Sequence, residues 1–292
     1  MIIITFIRQI ILVPIFLVYL DKDVFGFWLV ANSILFMLRS ISLGQYNFAS
    51  NNLNLNYHHL NKKDYGNMLQ EGFSSNIIFM IIQLLIGLLF LSESFLSSTT
   101  QYSLTFLKDI NGSFVLILLI LCKIPNQFVL LFMVRLYEPI GKIDKTLKFQ
   151  MINEIVDVST TILLLLLTKN LFLTVLGIFI STTIFNLTIS FIIFKELNLK
   201  LSILKIKLPH FIISLKKSSL LSFSFIIEKI YENGLNVIVS IAYLPTLVPL
   251  FGTGRVLSNS AIRFSNVLSE PLMPKVQKDF SSNKIIKIQR FF

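Results

Sequence analysis

Residues 114–136 read FVLILLILCKIPNQFVLLFMVRL. A helix needs about 20 mostly apolar residues to cross a hydrocarbon core about 30 Å thick, and this run has that length. Its apolar residues are continuous, so the alternation of a membrane β-barrel strand is absent. In lipid, only a helix then satisfies the backbone within one segment. The run also contains a cation, Lys123, and two residues later Pro125, which removes a backbone donor from the helix. A membrane-length helix with a charge beside a break frames the reading of the rest of the chain.

Seven further segments have the same character: 2–20, 24–43, 73–91, 152–168, 171–194, 220–241 and 247–269. The expected fold class is therefore an all-α integral membrane protein with about eight transmembrane helices. Composition agrees. Of 292 residues, 54% are hydrophobic and 28 are Phe, and the mean hydropathy is +0.76. Only 14% are charged, against roughly 25% in a soluble domain. The single cysteine, Cys122, lies in the quoted run. It excludes an intrachain disulfide and a cysteine metal site, and it reads as a small apolar helix residue. The first apolar run has no basic leader and no small-residue cleavage site, so it is expected to be a retained helix.

The net charge of +11 would suggest nucleic acid in a soluble protein. Here the cations gather in alternate loops. Lys62 and Lys63 follow the second span. Arg135, Lys142, Lys145 and Lys148 follow the fourth. The stretch 195–217 and the tail after Pro274 are lysine-rich. The other loops carry only Lys22, Lys108 and Lys169. By the positive-inside rule, the basic loops and both termini are expected in the cytoplasm. His58, His59 and His210 fall in those same loops with no carboxylate at ligand spacing, so neither a metal site nor a cofactor is expected. No Ser-His-Asp, metal or paired-carboxylate constellation emerges, so the chain does not read as an enzyme.

Ionisable groups inside the spans carry the functional information, because each is costly in lipid, about 2.5–3.5 kcal/mol at a helix centre. The cations are Arg8, Arg39, Lys123, Lys229, Arg255 and Arg263; the anions are Asp157, Glu228 and Glu232. Arg39 stands near the cytoplasmic end of its span and Arg135 is expected to snorkel out of its own. Lys229 and Glu232 are spaced i, i+3 and are expected to pair. The substrate-binding set read from this pattern is Arg8, Arg39, Lys123, Arg255 and Arg263, lining a shared cationic cavity. Asp157, Glu228 and Glu232 are the coupling or charge-balancing groups. The excess of cations, with guanidinium groups that fork onto phosphate oxygens, favours an anionic substrate over a cation.

A shift of 224 residues places Tyr19-Leu20 on Tyr243-Leu244, Val24 on Val248, Phe27 on Phe251 and Arg39 on Arg263. This fits two parallel repeats of six helices each. That pattern, with Val24-Phe25-Gly26-Phe27-Trp28, Ser33, Leu43-Gly44 and Asn47, and with Phe251-Gly252-Thr253-Gly254-Arg255 ahead of Pro271 and Pro274, resembles the polysaccharide (Wzx-like) flippases of the multidrug/oligosaccharidyl-lipid/polysaccharide exporter superfamily. The chain departs from the family's pattern at Phe25, where the family has Tyr, and at Ser42, where it has Asp. The resemblance implies a V-shaped pair of helix bundles around a central cationic cavity. It implies alternating-access transport of undecaprenyl-diphosphate-linked oligosaccharides, such as O-antigen units of lipopolysaccharide, across the bacterial inner membrane. The implied partners are the lipid-linked oligosaccharide, membrane lipids, a polysaccharide polymerase and glycosyltransferases, and no nucleic acid. The family typically has twelve or more spans. The expected organisation here is a six-helix lobe at 1–195, a basic linker at 196–217 and a partial second lobe at 218–292. Alternative readings are a multidrug or cation exporter of the same superfamily, a truncated remnant, and a membrane glycan polymerase.

Overall fold

The turn at 169–170 shows how local chemistry sets the packing. Lys169 adopts a left-handed conformation (φ 50°) that ends one helix, its N–H bonding to Leu165 O. Asn170 then caps the next, its side-chain oxygen accepting from Phe172 N at 2.9 Å and Leu173 N at 3.3 Å. Two residues thus reverse the chain and satisfy groups that helix ends leave open.

The computed structural model describes residues 12–90, 112–200, 206, 208–242, 248–252 and 254. These residues are helical apart from short turns, and no strand occurs among them. A helix over 12–19 (α1) precedes α2 (Lys22–Asn56), α3 (Lys62–Phe90), α4 (Gly112–Phe128), α5 (Ile143–Thr168), α6 (Leu171–Glu196) and α7 (Leu208–Ala242). Beyond Phe128 the α4 rod continues through a π-helical turn at Val129–Met133 and a 3-10 turn at Val134–Tyr137. Five helical rods are long and apolar enough to cross a membrane: α2, α3, α4 with its extension, α5 and α6. The expected all-helical class with membrane-length helices is therefore seen, and five such rods, not eight, occur among the described residues. α7 is a long helix but is not among the five; Glu228, Lys229 and Glu232 sit in its middle. The expected first span is described only over 12–19, and the eighth lies mostly outside the described residues.

The helices overrun the apolar runs at the basic end. α2 holds 35 residues, roughly 52 Å at 1.5 Å per residue, well beyond a hydrocarbon core of about 30 Å. Its surplus is the polar stretch 44–56, and α3, α5 and α7 likewise begin upstream of their apolar runs. Contacts gather these overhangs at one end of the bundle. Asn54 Nδ2 donates to Glu138 Oε2 at 2.9 Å, and Tyr137 OH and Lys145 Nζ both donate to Glu196 Oε2. At the opposite end, the Lys169 ammonium lies 5.9 Å from the centroid of the Tyr19 ring. The basic loops after α2, α4 and α6 therefore share an end, as the charge distribution predicts.

α6 packs against both α4 and α5, while α7 packs along α2 and touches α3. Two glycines permit close approach. A Cβ on Gly177 of α6 would overlap Leu164 of α5, and a Cβ on Gly44 of α2 would lie 2.3 Å from the Ser222 main chain of α7. Large apolar side chains such as Leu167, Leu187, Phe191 and Leu220 point outward, as a lipid-facing surface allows. Inside are two apolar layers. One gathers Phe16, Phe25, Leu35, Leu116 and Ile120; the other, toward the basic end, gathers Tyr46, Phe73, Phe128, Phe132 and Ile193. On α2 the first layer stops at Leu38 and the second starts at Tyr46; on α4 the break falls between Ile124 and Phe128.

A polar belt as candidate functional site

Between those layers the sequence supplies polar side chains on every central helix: Arg39, Ser42 and Gln45 on α2, Asn76 and Gln83 on α3, and Lys123, Asn126 and Gln127 on α4. Arg39 is the hub. Its Nε donates to Gln127 Oε1 at 2.9 Å, while Gln127 Nε2 donates back to the Arg39 carbonyl oxygen at 2.9 Å. Gln83 Nε2 reaches the carbonyl oxygens of Leu38 (2.9 Å) and Arg39 (3.2 Å). The guanidinium carbon also lies 5.8 Å from the Phe36 ring centroid. Three helices thus meet at one arginine, which is only partly buried. Two neutral amides do much of the holding, each reaching another helix where water is scarce.

One turn before Gln127 on α4, Lys123 Nζ donates to Asp157 Oδ1 of α5 at 2.5 Å. The two side chains are 12% and 9% exposed, so the pair is nearly enclosed. Asp157 belongs to a buried polar stripe on α5 with Asn153 and Thr161, spaced four residues apart, and the Thr161 hydroxyl bonds back to the Asp157 carbonyl. Cys122 has Arg39, Lys123 and Asp157 as electrostatic neighbours, so the arginine hub and the ion pair belong to one region.

The belt extends toward α7 without charge. Gln45 Nε2 donates to Ser214 Oγ at 2.6 Å, and Asn236 Nδ2 donates to Ser33 Oγ at 3.0 Å. These contacts run α7 antiparallel to α2. Farther along α7, Lys229 bridges Glu228 (3.1 Å) and Glu232 (2.5 Å). The i, i+3 pairing is as expected, and Glu228 joins it; all three side chains are appreciably exposed. They lie apart from the α2–α4–α5 belt in the hydrogen-bond pattern.

Of the expected cationic set, Arg39 and Lys123 enter this belt. Arg8, Arg255 and Arg263 lie outside the described residues. Lys123 is balanced by Asp157, one of the groups the sequence offers for charge balance, because a buried ammonium is stabilised by a nearby carboxylate. One point differs from the sequence reading. Arg135 does not snorkel. It is 14% exposed and donates to Glu138 Oε1 (2.9 Å), Asn47 Oδ1 (2.9 Å) and Asn51 Oδ1 (3.3 Å). Asn47, Asn51 and Asn54 recur at helical spacing on α2, which was the available sign of a polar partner. Gln83 and Gln127 were missed as well, since neutral amides do not figure among ionisable groups.

No family model, curated protein or solved structure matches the chain.

Proposed function

We propose that this chain is a membrane transporter that passes an anionic lipid-linked oligosaccharide, of the undecaprenyl-diphosphate-linked polysaccharide or O-antigen class, across the bacterial inner membrane by alternating access. The observation that carries the reading is the belt of Arg39, Lys123 and Gln127 between two apolar layers. It offers a guanidinium and an ammonium at a depth where lipid offers an anion nothing. Amides and hydroxyls around them suit sugar hydroxyls. The carboxylates favour this over cation export, since Asp157, Glu228 and Glu232 each already hold a lysine. A polysaccharide polymerase and glycosyltransferases would act on the same substrate before and after passage.

The direct test is translocation of a fluorescent prenyl-diphosphate-linked oligosaccharide in proteoliposomes containing the purified chain. Label should become accessible to a quencher or glycosidase on the opposite side, and Arg39→Ala should slow this at least tenfold. Transport of an organic cation with no movement of the diphosphate would overturn the reading.

A further inference from the structure

At the basic end of the bundle, the start of α5 and the finish of α6 are tied together. Lys145 Nζ donates to Glu196 Oε2 at 2.5 Å, and Tyr137 OH donates to the same oxygen at 2.9 Å. Lys142 is an electrostatic neighbour of Glu196 as well. Lys142, Lys145 and Lys148 recur at three-residue spacing around the first turns of α5, and Lys195 precedes Glu196 at the close of α6. Arg135 and Glu138 answer each other nearby, so four lysines at this corner stand against two carboxylates, Asp144 and Glu196. Among the described residues, Lys142, Lys148 and Lys195 enter no ion pair. The helix α5 also begins without a side-chain cap, with Lys142 in the cap position. Its first N–H groups and the positive end of its dipole therefore add to the same corner.

We propose that this corner binds an anionic phospholipid, its phosphate at Lys142, Lys148 and Lys195 and its acyl chains along the outer faces of α5 and α6. Those faces are apolar directly below the lysines. On α5, Ile152 and Ile155 follow Lys148 by one and two turns; on α6, Phe191, Leu187 and Ile184 precede Lys195 by one, two and three turns, and all five side chains point outward. The α6 stripe from Lys195 to Ile184 extends about 16 Å at 1.5 Å per residue, which is close to one leaflet of a hydrocarbon core about 30 Å thick. A lipid therefore meets charge and apolar surface at the depths where it carries its own phosphate and chains. The surplus of cations selects among lipids. A zwitterionic headgroup brings its own positive charge and gains little at such a corner, whereas an anionic one leaves its phosphate uncompensated for the lysines. The inference rests only on the chain crossing a membrane, and is independent of what it transports.

The test places the full chain, in a Cys122→Ala background, in phosphatidylcholine nanodiscs doped with brominated phosphatidylglycerol or brominated phosphatidylcholine. A fluorophore on Phe191→Cys reports chains lying at the corner. One on Leu167→Cys, at the opposite end of α5, is the matched control, since the native residues are 69% and 73% exposed. At Phe191→Cys, quenching should show phosphatidylglycerol preferred about fivefold, the factor that one lysine near an anionic headgroup supplies; at Leu167→Cys it should show no preference. The preference should weaken as salt rises, a readout that needs no charge variant. It should vanish when Lys142→Gln, Lys148→Gln and Lys195→Gln are combined, while quenching by phosphatidylcholine persists and shows the bundle intact. Equal quenching by the two lipids at Phe191→Cys, the same preference at Leu167→Cys, or a preference that survives the three substitutions would overturn the proposal. So would displacement of the lipid by soluble glycerol phosphate at constant ionic strength, because a free anion has no chains to lay on the stripes.

Discussion

Replacing Gly44 with alanine tests the packing of α7 on α2 at its tightest point. The added Cβ would lie 2.3 Å from both Ser222 Cα and Ser222 N, and 2.6 Å from Ser222 Oγ. Ordinary contact begins near 3.4 Å, so the two backbones must separate by roughly 1 Å. Main-chain atoms cannot rotate aside, and the strain falls on the helix pair. Overpacking of this kind costs about 1–3 kcal/mol. The displacement also stretches the Gln45–Ser214 hydrogen bond, now 2.6 Å long, beyond useful range. The assay is cross-linking between Ser33→Cys and Asn236→Cys with a short bifunctional thiol reagent in a Cys122→Ala background, since those side chains now touch at 3.0 Å. Gly44→Ala should cut the yield severalfold and lower the melting temperature. Ser222→Gly should fail to rescue it, because the struck atoms are backbone. Gly66→Ala is the control: nothing lies within 4 Å of its Cβ, and removing a helix-interior glycine should stabilise by about 0.5–1 kcal/mol. Unchanged cross-linking in Gly44→Ala, or rescue by Ser222→Gly, would refute the close approach.

Three further outcomes are expected. Gln127→Glu sets a carboxylate against Arg39 Nε and gives up the amide donor that now meets the Arg39 carbonyl oxygen; it should slow diphosphate translocation in proteoliposomes at least tenfold, because a fixed anion then competes for the guanidinium. Arg135→Met should strand Glu138 at the basic end and lower stability by about 3–5 kcal/mol in a denaturation series, and Arg135→Lys should recover only part of this, since a lysine cannot reach Glu138, Asn47 and Asn51 together. Reporter fusions at Gly141 and at Asn170, which flank the α5 rod, should report opposite sides of the membrane, with Gly141 cytoplasmic by the positive-inside rule.

The apolar rods were legible because length and composition alone decide whether a helix spans lipid. Their ends were not. Hydropathy stops the second span near Leu43, yet α2 runs on to Asn56, because Gln45, Asn47, Asn51 and Asn54 find partners on α7 and at the α4 end. A scale that asks only about transfer into lipid cannot register a hydrogen bond to another helix. The same limit applies to the belt. Lys229 and Glu232 could be paired from sequence because three residues of helix bring them together. Lys123 and Asp157 are separated by 34 residues and Arg39 and Gln127 by 88, so their partners follow from how α4 lies against α2 and α5. Amides such as Gln83 and Gln127 within apolar runs were the visible trace of that arrangement.

Arg135 and Lys123 show why charge inside a span is not by itself evidence of a binding group. Arg135 has three of its donors met by Glu138, Asn47 and Asn51, and Glu138 in turn accepts from Asn54. A cation so saturated gains little from a passing phosphate, which would have to break those bonds first, and its place at the crowded ends of α2 and α4 is that of a strut. Lys123 lies deeper, between the two apolar layers, with one hydrogen bond among the described residues and an unfilled acceptor a turn away. Among the described residues one hydrogen bond meets that ammonium, so on the proposed anionic-substrate reading an anion that brings further acceptors finds donors still open there. Transport needs sites that bind and then release, and a cation half-satisfied at rest meets that condition where a saturated one does not.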